Sequence, residues 1–157
     1  MFTGAGSTAG KEIVSSASHL KTGDHISFPA EYCCSTYHHH AIVLAVKGYK
    51  MIKIIHAATK AKKGESCKGL RGYEVREQEI PVDERIARKE LVRYKYDPNK
   101  CSDPDEVVVK AKSKIGDYKF DAISHNCQHF ARWCKDKTKD RGSGCWGLAN
   151  CNSCDSC

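Results

Sequence analysis

At 157 residues the chain is long enough for one domain with a real core. Charged residues make up 29%, with 26 Lys and Arg against 19 Asp and Glu, a formal net charge of +7. That balance suits anionic partners, although a solvated basic surface explains it equally well. The longest apolar run, Ala41 to Val46, is far too short to span a membrane.

The first residues are rich in Gly, Ser, Ala and Thr and carry neither the basic start nor the apolar segment of a secretory signal. Ten cysteines without such a signal argue for reduced thiols and a cytoplasmic location. Lys60-Ala61-Lys62-Lys63 is the densest basic run and lacks interleaved aromatics, so no nucleic acid is expected.

Composition divides the chain into a flexible arm at 1–19, a folded domain at 20–137 and a flexible Cys/Gly/Ser-rich tail at 138–157. Lys21 to Asp24 reads as a turn and His25 to Phe28 as a short strand that Pro29 ends. Glu31 to His38 reads as a loop. His38, His39 and His40 then run into Ala41 to Val46, apolar on both faces and so a doubly covered strand. Lys47 to Lys50 is a hairpin turn, and Met51 to His56 the return strand. A two-residue loop at Lys47-Gly48 sets His39 opposite His56, with Cβ atoms ~4.5–5.5 Å apart. A loop one residue different leaves them neighbours.

Ala57 to Gly72 is a Lys/Gly-rich loop, either a flap or a disordered insertion. Tyr73 to Glu79 and Leu91 to Tyr96 read as further strands. Asp103, Pro104 and Glu106 carry the start signals of a helix whose buried stripe is Val107, Val108, Ala111 and Ile115, with Gly116 as its stop. In the tail, Cys145, Cys151, Cys154 and Cys157 do not have a standard zinc spacing; S-acylation is an alternative, and an unstructured tail the leading reading.

The most informative stretch is Ser124 to Phe130. Cys127, Phe130, Ala131 and Cys134 share one helix face. Ser124 or Asn126 caps that helix, so Cys127 sits in its first turn. There the unpaired N–H groups and the macrodipole favour a thiolate, and with a nearby imidazolium a thiol pKa falls from ~8.5 to roughly 3.5–7.5. A small buried thiol that packs a helix fits this stretch alone equally well. The histidines decide between them, because nucleophilic chemistry needs a base and a group that orients it.

Three boxes stand in chain order: His39-His40-Ala41-Ile42-Val43, Ile54-Ile55-His56 and Asn126-Cys127-Gln128-His129-Phe130. Together with Gly23-Asp24-His25-Ile26 they resemble the lecithin:retinol acyltransferase-like family, which includes the HRAS-like phospholipid acyltransferases. The resemblance covers about Leu20 to Lys137. It implies an α+β fold, an antiparallel sheet packed against helices, in the circularly permuted papain-like (NlpC-type) arrangement. It also implies Cys127 as nucleophile, His39 as general base and His56 as the residue that orients it. Tyr37 and Asn126 become candidates for oxyanion support. The hairpin between His39 and His56 is longer than in the well-known acyltransferases, and His40 stands where those proteins often have an aromatic residue.

The implied activity is thiol-dependent acyl transfer, with phospholipase A1/A2 output, through a Cys127 thioester. The acyl donor would be a glycerophospholipid, and the acceptor an amine, a lysolipid or water. Peripheral contact with an anionic membrane is expected, and neither a cofactor nor a metal. The rivals are a thiol peptidase or amidase and a catalytically silent interaction module. A zinc site from His38, His39, His56 and a cysteine is disfavoured because adjacent residues of a strand point to opposite sides.

Overall fold

The computed structural model describes residues 8–32, 35–59, 72–120 and 126–139. They form an α+β fold with one seven-stranded antiparallel sheet. The strands are β1 (Thr8–Ile13), β2 (His25–Tyr32), β3 (Ser35–Lys47), β4 (Met51–Thr59), β5 (Gly72–Pro81), β6 (Val92–Tyr96) and β7 (Tyr118–Phe120). Their order is β1-β6-β2-β3-β4-β5-β7. The helices are α1 (Asp83–Ala87), α2 (Pro104–Ser113) and α3 (Asn126–Lys135). Among the described residues, no helix is long and apolar enough to cross a membrane.

Both faces of the sheet are covered. On one, Val107 and Ala111 of α2 and Cys127, Phe130, Ala131, Trp133 and Cys134 of α3 pack on Ile42, Ile55, Ala57, Tyr73 and Val75. On the other, Val14, Ala17, Leu20, Val82 and Leu91 pack on Ile26, Phe28, Ala41, Val43, Ile52, Ile54 and Ile80. Strand residues alternate between the two clusters because successive side chains point to opposite faces. The doubly covered strand expected at Ala41 to Val46 thus lies at the centre of the sheet.

The α2 start follows its signals: the Asp103 carboxylate accepts from the Glu106 N–H at 2.9 Å, and Pro104 occupies the first turn. Its stripe is narrower than expected. Val107 and Ala111 are buried and Val108 is half-buried, whereas Ile115 lies beyond the helix end and is exposed. The fully buried Lys110 fills the place between, its Nζ donating to the Asp136 carbonyl at 2.8 Å.

Four expectations need correction. The arm expected through His19 is ordered from Thr8, where β1 pairs with β6. Val14, Ala17 and Leu20 bury themselves, and the Val14 N–H bonds the Leu91 carbonyl at 2.8 Å. Pro29 does not end a strand but lies within β2, and the expected loop at Glu31 to His38 is largely strand on either side of residues 33 and 34. The β2–β6 ladder stops at Ser27, so at Pro29 β2 has only β3 beside it and the missing N–H costs no ladder bond. The hairpin loop is Gly48 to Lys50, three residues, with Lys47 paired to Met51 and Gly48 in the left-handed region at φ +69°.

Candidate active site

The longer loop alone would have turned His56 away from His39. With Lys47 opposite Met51, an unbroken ladder puts His56 opposite Ile42, on the α3 face. The ladder is broken at Leu44, where the register shifts by one residue, so that Val43 pairs with Ile54 and Ile42 with Ile55. The burial pattern records the same shift: Leu44 packs with the α3 cluster, and Val46 with the opposite one. Past this bulge His56 regains the face of His39, and the two are diagonal rather than opposite neighbours.

Their rings meet. His39 Nε2 lies 2.6 Å from His56 Nδ1, with centroids 4.9 Å apart and planes at 85°. The His56 Nε2–H donates to Gln78 Oε1 at 3.0 Å, which leaves His56 Nδ1 to accept from the His39 Nε2–H. His39 Nδ1 in turn accepts from the Tyr37 hydroxyl at 3.3 Å. One line of hydrogen bonds therefore runs Tyr37–His39–His56–Gln78, and it fixes both tautomers. Gln78 was not singled out in the sequence; its place two residues from Ile80 on the same strand face is the only local signal.

Both imidazoles are neutral. Burial lowers the His39 pKa to about 3, helped by the repulsion that a proton on His56 or His40 would exert and by the charges of Arg85 and Arg76. Burial likewise brings His56 to about 4, against the opposing bond to Gln78 and with help from Arg76.

Cys127 approaches from the helix side. It lies in the first turn of α3, and all four residues of the expected face, Cys127, Phe130, Ala131 and Cys134, are buried. Its Sγ is 4.0 Å from the His38 carbonyl and is faced by the backbone N–H groups of His40, Gln128 and Cys127 itself. Burial raises the thiol pKa, and those three N–H groups partly offset the rise. The resting thiol is protonated.

The sulfur sits there because the β3–β4 ladder has opened. The Val43 N–H and C=O point toward β2, bonding Asp24 and Gly23 at 2.9 and 2.7 Å. By alternation the N–H and C=O groups of His38 and His40 point toward β4. The β3–β4 pairing ends at Ile42 with Ile55, so β4 does not use them. Cys127 fills this mouth from the α3 face, while His39 and His56 span it from the other. Among the described residues no hydrogen bond joins the sulfur to either ring.

Of the remaining candidates, His38 is exposed. Asn126 begins α3, but its side chain lies outside the described residues, as do Ser124, residues 60–71 of the loop expected at Ala57 to Gly72, and the tail from 140. His40 is buried on the α3 face, and its Nδ1 is 2.8 Å from Nε2 of the fully buried His25.

The site thus sets a buried thiol at a helix start and a buried histidine pair on the two sides of an opening in an antiparallel sheet. A family model described as lecithin retinol acyltransferase matches residues 18–140. The chain belongs to the lecithin retinol acyltransferase family, and that membership suggests acyltransferase-type activity on lipids. No curated protein and no solved structure matches it.

Proposed function

We propose that the protein is a thiol-dependent acyltransferase and phospholipase A1/A2 that takes acyl groups from glycerophospholipids, built on a circularly permuted papain-like (NlpC-type) plan. Cys127 is the nucleophile, His39 the base and His56 the residue that orients it, with Tyr37 and Asn126 in support. The observation that carries this reading is the 2.6 Å contact between His39 and His56, because it gives a base with a fixed tautomer at the mouth that holds the thiol.

The Cys127 proton passes to His39 as sulfur attacks the ester carbonyl. The S–C bond forms, and backbone N–H groups at the sulfur hold the oxyanion. The ester C–O bond then breaks, and His39 returns its proton to the departing lysophospholipid. Water or an amine attacks the thioester, the S–C bond breaks, and the thiol is restored with a free fatty acid or an amide as product. A closing motion precedes the chemistry, bringing sulfur and His39 together. Ser35 to Ala41 is the segment suited to it, since among the described residues it is laddered to β2 alone. The cytoplasmic enzyme would meet its substrate at an anionic surface. A cavity of about 850 Å³ supports such contact, because Arg93, Lys95, Lys135, Lys137 and Lys139 outnumber the carboxylates Asp24, Asp103 and Glu106 in its wall.

The test is intact-mass measurement after incubation with phosphatidylcholine vesicles. An acyl increment is expected in the wild-type chain and absent from Cys127→Ala and His39→Asn. A second reading, a catalytically silent module, has one observation in its favour: sulfur and histidines share no hydrogen bond at rest. It requires an unmodified mass with every lipid.

A further inference from the structure

The acyl-transfer reading leaves one buried polar cluster unused, and it lies on the nucleophile's own face of the sheet. His25 of β2 is fully buried, with Nδ1 2.7 Å from the Tyr96 hydroxyl and Nε2 2.8 Å from His40 Nδ1. Its ring stacks on Tyr94 at 4.3 Å, and Tyr94 in turn bonds Ser27 at 2.9 Å. Two buried imidazoles are a costly way to fill a core, so the cluster calls for a role. The charged or titratable groups that face it are Arg132 and Lys135 of α3, Lys11 of β1 and His38 of β3.

Residue 40 has an unusual position. Its backbone N–H has lost its β4 partner and meets the Cys127 sulfur instead. No strand on the β4 side fixes where that N–H points. Among the described residues, residue 40 is held from the β2 side alone, by its pairing with Ser27 and by its ring, bonded to His25 on that same strand.

We infer that His25 is a positioning residue for the nucleophile: by holding the His40 ring it keeps the His40 N–H aimed at sulfur, completing with the Cys127 and Gln128 N–H groups a three-donor nest for the thiolate. The inference rests on Cys127 being the nucleophile. Three convergent N–H groups favour negative charge as the first turn of a helix does, and the nest adds a donor from outside the helix. It stabilises the thiolate produced when His39 takes the proton.

The test is the pH profile of Cys127 alkylation by iodoacetamide in the full chain, read on the Cys127 peptide by mass spectrometry. His25→Phe keeps the stack on Tyr94 and removes both hydrogen bonds. Its profile midpoint should rise by about one pH unit, about a tenfold loss of thiolate at neutral pH. His25→Gln carries an amide to the place of Nε2 and should restore the midpoint to within about a threefold difference in thiolate. His25→Asn reaches only the Nδ1 place, keeps the Tyr96 bond, and should behave like His25→Phe. If His25→Phe does not fold, the two amide variants decide. A purely structural role predicts lower melting temperatures with unmoved midpoints. Unmoved midpoints overturn the inference, as does rescue by Asn but not Gln, or equal loss in both. Alkylation needs no lipid, so missing acyl adducts alongside the expected midpoints would sink the acyl-transfer reading alone.

Discussion

Acid should unfold this protein well above the range where carboxylates titrate. His25, His39, His40 and His56 are each at most 6% exposed. Burial is the first cause of a lowered pKa in all four, to about 3 for His39 and about 4 for His40 and His56, against an ordinary value of 6.5. The unfolded chain therefore takes up protons that the fold refuses, and stability falls as pH drops below 6.5. The loss continues until the folded-state values are reached. For one histidine kept neutral, it amounts to roughly 2 kcal/mol between about pH 7.5 and about pH 5. Four give about 8 kcal/mol, comparable with the whole stability of a domain, about 5–15 kcal/mol. Urea denaturation followed by circular dichroism across that interval measures it directly. Glu12 and Glu79, lowered by their bonds to Arg93 and Lys47, add their own loss only below 4.5. A urea midpoint that stays constant from about pH 7.5 to about pH 5 would refute four neutral buried imidazoles.

Gln78→Leu removes the acceptor of the His56 Nε2–H and should cost about 1 kcal/mol by urea denaturation at neutral pH, since water can reach the exposed Gln78 position. Gln78→Glu should instead raise the His56 pKa and shift its NMR titration upward; an unmoved titration would place the side chain elsewhere. Phe130→Ala empties a fully buried site between α3 and the sheet and should cost about 3–5 kcal/mol, while Ile115→Ala on the exposed turn should stay within about 0.5 kcal/mol. Asp103→Ala removes the cap on the Glu106 N–H and should cost about 1 kcal/mol, read as a lower melting temperature.

The parts of the fold that the sequence makes legible are those with a local code. The buried face of α3 follows from apolar residues three and four apart, and the α2 start from a capping aspartate with proline beside it. The ordered N-terminal segment escapes such a reading because its anchors, Val14, Ala17 and Leu20, are scattered among small and polar residues. Pro29 misleads for a related reason. Its effect depends on whether a strand lies on its donor side, and that is a property of the sheet, not of the neighbouring residues.

The histidines show the same limit where it matters most. His38, His39 and His40 alternate between faces, so a single parity decides which of them joins His56 and which lies beneath α3. A half-buried strand would declare that parity through alternating polar and apolar residues. Ala41 to Val46 is apolar throughout, and the declaration is missing. Loop length does not supply it either, because the three-residue loop and the bulge at Leu44 each reverse the outcome and together cancel. The bulge therefore belongs to the site as much as any side chain does. It gives His39 its partner, and at the same time leaves the His40 N–H without a strand to bond, open to a sulfur arriving from the helix.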